Sequence, residues 1–225
     1  MRNVKPILMN AAMVQATLRE IENPGTGKTQ TRRIIKPQPV DTGVSWQFDL
    51  KDKRSACFSN FPYEKFNGRE FGVVEYCPYG KPGGLLWVRE SIRYSAEASN
   101  FYFCDKGVGT ERYLRLLNEG GKKSRPSIHM PRWASRITLE VTDVRVQRLQ
   151  DISEADVWAE GIVETDAYAS ALHSAEPVDL KQCFSTLWTS INGPESWEAN
   201  PWVWAVTFQP YLINVDAFVK EMAAA

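Results

Sequence analysis

The chain has 225 residues, 43% hydrophobic and 24% charged, with 27 basic residues against 27 acidic ones. Such a composition excludes a disordered chain and suits one globular domain carrying long insertions, while a zero net charge does not by itself announce a nucleic-acid binder. No 18-residue apolar run is present, so no membrane span is expected, and Met1 to Asn10 lacks the long apolar core of a signal peptide.

Lys5 to Met9 is a short apolar run of strand type. Asn10 is placed as an N-cap, and Met13, Val14, Thr17, Leu18 and Ile21 then recur at helical spacing on one apolar face. Asn23-Pro24-Gly25 should stop that helix. Thr29 to Ile35 carries Thr, Arg and Ile in alternation and reads as a strand. Residues 38 to 84 are rich in Pro, Gly and aromatics without periodicity and read as an insertion packed by its own aromatics. Gly84 to Ser91 reads as a strand, and residues 95 to 126 as a second irregular insertion with a helical stretch at Arg112 to Leu117.

Ile137, Leu139 and Val141 alternate with polar residues, and the phase then slips to Val144 and Val146, as a β-bulge near Thr142-Asp143 would produce. Ser153-Glu154-Ala155-Asp156 opens a short helix with the spacing of a capping box, and Gly161 ends it. Asp179 caps another helix whose Leu180, Cys183, Phe184, Leu187, Trp188 and Ile191 share one face, closed by Asn192-Gly193. Trp202 to Phe208 is apolar on both faces and reads as a central strand. The order predicts a mixed α+β fold with one barrel-like sheet in a single domain.

Charge is unevenly placed. Thr26 to Pro39 holds four basic residues, Lys28, Arg32, Arg33 and Lys36, and no acid. Glu111 to Arg136 holds seven basic residues and two acids, whereas Gln150 to Leu180 holds eight acids and no Lys or Arg. A basic face is the natural anion site. Cys57, Cys77, Cys104 and Cys183 have no metal-ligand spacing and the histidines are only His129 and His173. No metal or other cofactor is therefore expected, and four reduced cysteines fit a cytoplasmic protein.

Pro24-Gly25-Thr26-Gly27-Lys28-Thr29 looks like a phosphate-binding P-loop, but the first glycine of that pattern would fall on Glu22. A P-loop also follows a buried strand and opens a helix. Here a helix precedes the loop, and Pro37 and Pro39 follow too soon for a long helix.

The chain resembles the ASCH family, a branch of the PUA-like β-barrels, and in particular the longer phage and prophage proteins that carry this domain. The residues responsible are Lys5-Pro6-Ile7-Leu8, Gly27-Lys28-Thr29-Gln30-Thr31-Arg32-Arg33, Leu86-Trp87-Val88-Arg89-Glu90, Leu149-Gln150-Asp151-Ile152-Ser153 with Ala159-Glu160-Gly161, and Asn200-Pro201-Trp202-Val203-Trp204. The resemblance implies a small mixed barrel with flanking helices, a cleft between helix and sheet, and two insertions longer than those of minimal members. It also implies a partner among RNA, single-stranded nucleic acid or a modified nucleoside. Some small ASCH proteins remove an acyl group from the N4 amine of cytidine, using a Lys, a Thr three residues later and a Glu on a later helix. Those positions match Lys28, Thr31 and Glu160.

On that reading Thr31 is the nucleophile and needs a base within hydrogen-bond reach. Lys28 serves if burial or the neighbouring Arg32 and Arg33 lower its pKa. On a strand residues 28 and 31 point to opposite faces, so the pair requires a turn or bulge between them. Glu160 would protonate the leaving amine. Thr29, Arg32, Arg33, Arg89 and Glu90 would orient substrate or bind phosphate, although Arg89 and Glu90 would equally serve as ion-pairing residues at a barrel mouth. Trp133, flanked by Arg132 and Arg136, is the candidate stacking platform for a base. Two functions follow: a binding module for nucleic acid or modified nucleotide, with phosphate contacts extending to Lys122, Lys123 and Arg125, and an N4-acylcytidine amidohydrolase.

Overall fold

The computed structural model describes residues 4–36, 38, 47–48, 55–58, 73–94, 100–102, 126–162 and 179–224. Five strands form a mixed sheet: β1 (Val4–Leu8), β2 (Gln30–Ile34), β6 (Leu85–Arg89), β9 (Thr138–Arg148) and β10 (Trp202–Tyr211), in the order β1-β6-β9-β10-β2. β1 runs parallel to β6, whereas β6 with β9 and β10 with β2 are antiparallel. Four α-helices accompany it among the described residues: α1 (Ala11–Glu22), α2 (Glu154–Ala159), α3 (Leu180–Asn192) and α4 (Val215–Ala224).

The α+β class is as expected, but the sheet does not close into a barrel. Closure needs a ladder between the two end strands, and among the described residues β1 pairs with β6 and β2 with β10, leaving both as edges.

Residues 38–84, read from sequence as irregular, contain β3 (Gln47–Phe48), β4 (Ser55–Phe58) and β5 (Val73–Tyr76) in a small antiparallel sheet. β7 (Ile92–Tyr94) and β8 (Asn100–Tyr102) pair in a second one. The helical stretch expected at Arg112–Leu117, and Lys122, Lys123 and Arg125, lie outside the described residues.

The contacts resolve two compact units. The first comprises 1–28, 85–140 and 209–225. In it the Asn10 side chain caps α1 by accepting from the Met13 amide at 2.9 Å, and Val14, Ala16 and Thr17 are buried. Leu85, Trp87, Val215 and Phe218 form a core cluster. α4 was not foreseen from sequence. It begins at Asn214, whose Oδ1 accepts from the Asp216 amide at 2.9 Å, and it buries Val215 and Phe218 three residues apart.

The second unit comprises 29–84 and 141–208. Its core joins Leu149, Ile152, Val157, Ile162, Phe184, Trp188 and Val203. Ser153 caps α2 and Asp179 caps α3, as the sequence indicated. Gly161, at φ 84°, follows α2 in the left-handed conformation that a side chain would strain. Along β9, Val141 and Val144 are both buried while Thr142 is exposed, so the burial phase slips at Thr142-Asp143. Val203, Trp204, Ala205 and Val206 of β10 are all buried, as befits a strand with neighbours on both sides.

Candidate functional site

β2 is the element around which the second unit's polar groups gather. Val203 pairs with Ile34, Ala205 with Arg32 and Thr207 with Gln30, which puts Gln30, Arg32 and Ile34 on one face. Thr31 and Arg33 lie on the other, opposite Val206 and Trp204.

On the first face the Arg32 side chain is completely buried, with both terminal nitrogens engaged by acceptors and Nε left without one. Its Nη1 donates to Glu160 Oε1 at 3.0 Å and to Gln30 Oε1 at 2.6 Å, and its Nη2 to Asp156 Oδ2 at 2.8 Å. Asp156 also accepts from Arg145 Nη2 at 3.0 Å and from Gln30 Nε2 at 3.1 Å, and the latter amide reaches Thr207 Oγ1 as well. The Phe184 ring lies 5.8 Å from the guanidinium carbon. Burial alone would raise the Asp156 carboxyl. The hydrogen bond from Arg145, the charges of Arg32 and Arg145 and the bond from Gln30 outweigh it and hold the group below the ordinary carboxylate range. Two guanidinium groups thus meet two carboxylates.

On the second face Arg33 Nη1 donates to Thr31 Oγ1 at 2.8 Å and to the Arg32 carbonyl at 3.1 Å. Arg33 also hydrogen-bonds the Tyr79 phenol, whose pKa burial pushes up despite that neighbouring cation. Thr31 is fully buried, whereas Arg33 and Tyr79 are half-buried.

Thr31 and Glu160 are therefore held by two successive arginines on opposite faces of one strand. Thr29 precedes β2, with its amide on the Ala159 carbonyl at 2.9 Å and its carbonyl taking the Phe208 amide at 2.8 Å.

In the first unit Lys28 is buried and its amide donates to the Ala16 carbonyl at 2.9 Å. The glycine-rich loop before it holds an anion, but the anion is the protein's own. Gly25 N donates to both Glu20 oxygens, at 2.9 and 3.0 Å, and Gly27 N to Oε2 at 2.8 Å. Glu20 thus occupies the backbone cradle that a P-loop offers to phosphate. A Cβ on Gly27 would overlap the Ala16 carbonyl and the Glu20 amide, so only glycine permits this approach.

The remaining candidates also lie in the first unit. Arg136 holds Glu90 with two bonds, 2.9 Å and 3.0 Å, and Glu90 is buried. Arg89 donates to the Ser127 carbonyl at 3.1 Å and lies 5.4 Å from the Trp87 ring centroid. Arg132 pairs with Asp216 at 2.6 Å. Trp133 is 64% exposed, and the Asn214 amide fixes its loop by donating to the carbonyls of Arg132, Trp133 and Ser135.

Sequence reasoning missed Gln30, Asp156, Arg145, Tyr79 and Glu20. Asp156 was within reach: it stands four residues before Glu160, so both project from one side of the helix end. Tyr79 lay in a stretch with no periodic signal. Among the described residues no helix is long and apolar enough to cross a membrane, and no three His, Cys, Asp or Glu side chains are placed to hold a metal ion. Comparison with protein-family models, curated proteins and solved structures finds no match to this chain.

Proposed function

We propose that this protein is a PUA-like module of the ASCH type that binds a modified nucleoside or nucleotide, either free or within single-stranded RNA, against the Thr31 and Arg33 face of β2. The observation that carries this reading is the hydrogen-bonded Arg33–Thr31 pair at 2.8 Å. It joins a half-buried cation to a buried hydroxyl within the segment responsible for the family resemblance. Arg32, the next residue along, is engaged by Asp156 and Glu160 and acts as a structural cation. Arg132 and Arg136 are likewise paired with carboxylates, which favours a compact ligand over a long basic track.

Binding of a panel of cytidine-type nucleosides, their monophosphates and short single-stranded RNA, measured by calorimetry at two salt concentrations, tests the reading. Arg33→Gln should abolish binding with the fold retained. Absence of binding across the whole panel at millimolar concentration would overturn it.

One detail favours a second reading, amidohydrolysis of an N4-acylated cytidine. Because the Thr31 oxygen accepts from Arg33, its own proton is directed at some other acceptor, as a nucleophile requires. The family resemblance would assign the base to Lys28 and the acid to Glu160, but Glu160 is held by Arg32 on the face of β2 opposite Thr31, which counts against this reading. Turnover of N4-acetylcytidine lost in Lys28→Ala, Thr31→Ala and Glu160→Ala alike would support it. Turnover that survives Thr31→Ala would remove it.

A further inference from the structure

We propose that Arg148, stacked on Trp202, is a phosphate-binding residue on the same face of the sheet as Thr31 and Arg33, where it holds a phosphate of the nucleotide or single strand bound there; this deepens the nucleotide reading above and rests on it. Arg148 lies outside every motif read from the sequence, and the contacts of β9 and β10 place it.

Strand alternation puts the pair on that face. Trp204 lies opposite Arg33, and Val206 opposite Thr31. Trp202 stands two residues before Trp204 on β10, so its ring is on the same side of the sheet. Its backbone is fixed: the carbonyl accepts from the Ile35 amide at 3.0 Å and from Gln38 Nε2 at 2.9 Å, and the amide donates to Gln38 Oε1 at 2.8 Å. Arg148 is the last residue of β9, which lies on the other side of β10 from β2. Its guanidinium carbon is 4.5 Å from the Trp202 ring centroid. Arg148 and Arg33 therefore reach one face from the two strands that flank β10, whose backbones are roughly 10 Å apart.

Asn200 holds the guanidinium from a strained conformation. Its φ is 40°, in the left-handed region that residues with side chains rarely adopt. Its carbonyl there accepts from Arg148 Nη1 at 3.1 Å, and its Oδ1 accepts from the Gln150 amide at 2.9 Å. Such strain persists only where surrounding contacts hold it, as at ligand clamps. Arg32, Arg132, Arg136 and Arg145 each meet a carboxylate. Arg148 meets a carbonyl oxygen and a ring, and no carboxylate among the described residues. The side chain is half-buried, and its Nε and Nη2 are not enclosed. A planar cation packed on an aromatic face, with donors left over in its plane, matches the paired oxygens and negative charge of a phosphate. A neutral base edge offers no charge to answer it.

The first experiment measures the full chain's affinity for cytidine-type nucleosides, their monophosphates and short single-stranded RNA across a series of salt concentrations. Arg148→Gln removes the charge but keeps an amide donor for the Asn200 carbonyl. It should weaken phosphate-bearing ligands roughly tenfold, the scale of one lost charge-assisted bond. For RNA it should also flatten the slope of log affinity on log salt by about 0.7, one phosphate contact on a single strand. Nucleoside affinity should not change. A loss already present with the monophosphate assigns Arg148 to the nucleotide's own monoester, and a loss confined to RNA assigns it to a phosphodiester of the strand. A variant that keeps wild-type affinity and slope, whatever stability it loses in urea, marks Arg148 as a structural clamp and overturns the proposal.

The second experiment needs no variant, so it decides the matter if Arg148→Gln fails to fold. The Arg148 side-chain Nε–H resonance of the wild type is followed by NMR as inorganic phosphate, and then RNA, is added. A saturable shift is expected, and a resonance that neither ligand moves overturns the phosphate site. The two readings fail separately. Nucleosides that bind while Arg148 stays silent to every phosphate leave the Thr31 and Arg33 face standing without this residue. An Arg148 that responds to phosphate in a protein that binds no nucleoside or nucleotide does the reverse: the phosphate site stands and the nucleotide reading fails.

Discussion

Arg32 Nη1 donates to Glu160 Oε1 across 3.0 Å, and neither side chain is more than 5% exposed. The pair joins the second strand to the end of α2 across 128 residues of sequence. A buried guanidinium is tolerable only with its carboxylates in place.

Removing one partner should therefore be costly. Arg32→Met is expected to destabilise the fold by about 3–5 kcal/mol, because it takes the guanidinium away from the buried Glu160 carboxylate. Glu160→Gln, which keeps a neutral acceptor for Arg32, should cost less. Urea unfolding of the two single variants and the double variant measures the coupling. A double variant whose loss equals the sum of the singles would show that the two residues do not interact.

Asp156 links stability to pH. Its folded pKa lies below the ordinary value of about 3.9. The stabilisation it gives is thus fully present above that ordinary value and is lost as pH falls through the lower folded one. Asp156→Asn should be less stable than the wild type at neutral pH, and the gap should narrow as pH drops below about 4. Chemical denaturation from pH 7 down to pH 3 reads this directly, and a gap constant over that range would contradict it.

The loop at Gly25 to Gly27 is closed by Glu20 and should not serve a nucleoside triphosphate. Magnesium-ATP should leave the melting temperature of the wild type unchanged. Glu20→Ala should cost about 1–3 kcal/mol, since the Gly25 and Gly27 amides lose a buried acceptor. Gly27→Ala should cost at least as much, because its Cβ meets backbone that cannot move aside. A thermal shift with magnesium-ATP, or a neutral Gly27→Ala, would refute this account.

Asn214 holds the loop that carries Trp133 by donating to three carbonyls, and it also caps α4. Asn214→Ala is expected to lose about 1–2 kcal/mol for the cap alone. It should also accelerate amide exchange at Ala134 and Ser135, whose amides close the turn. Unchanged exchange there would show that the loop holds its shape by other means.

The sequence alone determined the elements with strong local signals. Asn10, Ser153 and Asp179 mark helix starts because a side-chain oxygen satisfies amides only a few residues away. Trp202 to Phe208 reads as a central strand because its apolar run needs cover on both faces. The basic Lys28 to Arg33 segment was also legible as the place to look. Tertiary structure decided what each of its residues does. Arg32 and Arg33 are adjacent, identical in type and indistinguishable by spacing. Strand alternation sends one to two acids near residue 160 and the other to a hydroxyl and a tyrosine near residue 79. The same holds for Glu20, which fills a loop that its sequence pattern offers to phosphate. In each case the partner is chosen by three-dimensional proximity and burial, and a one-dimensional pattern carries neither.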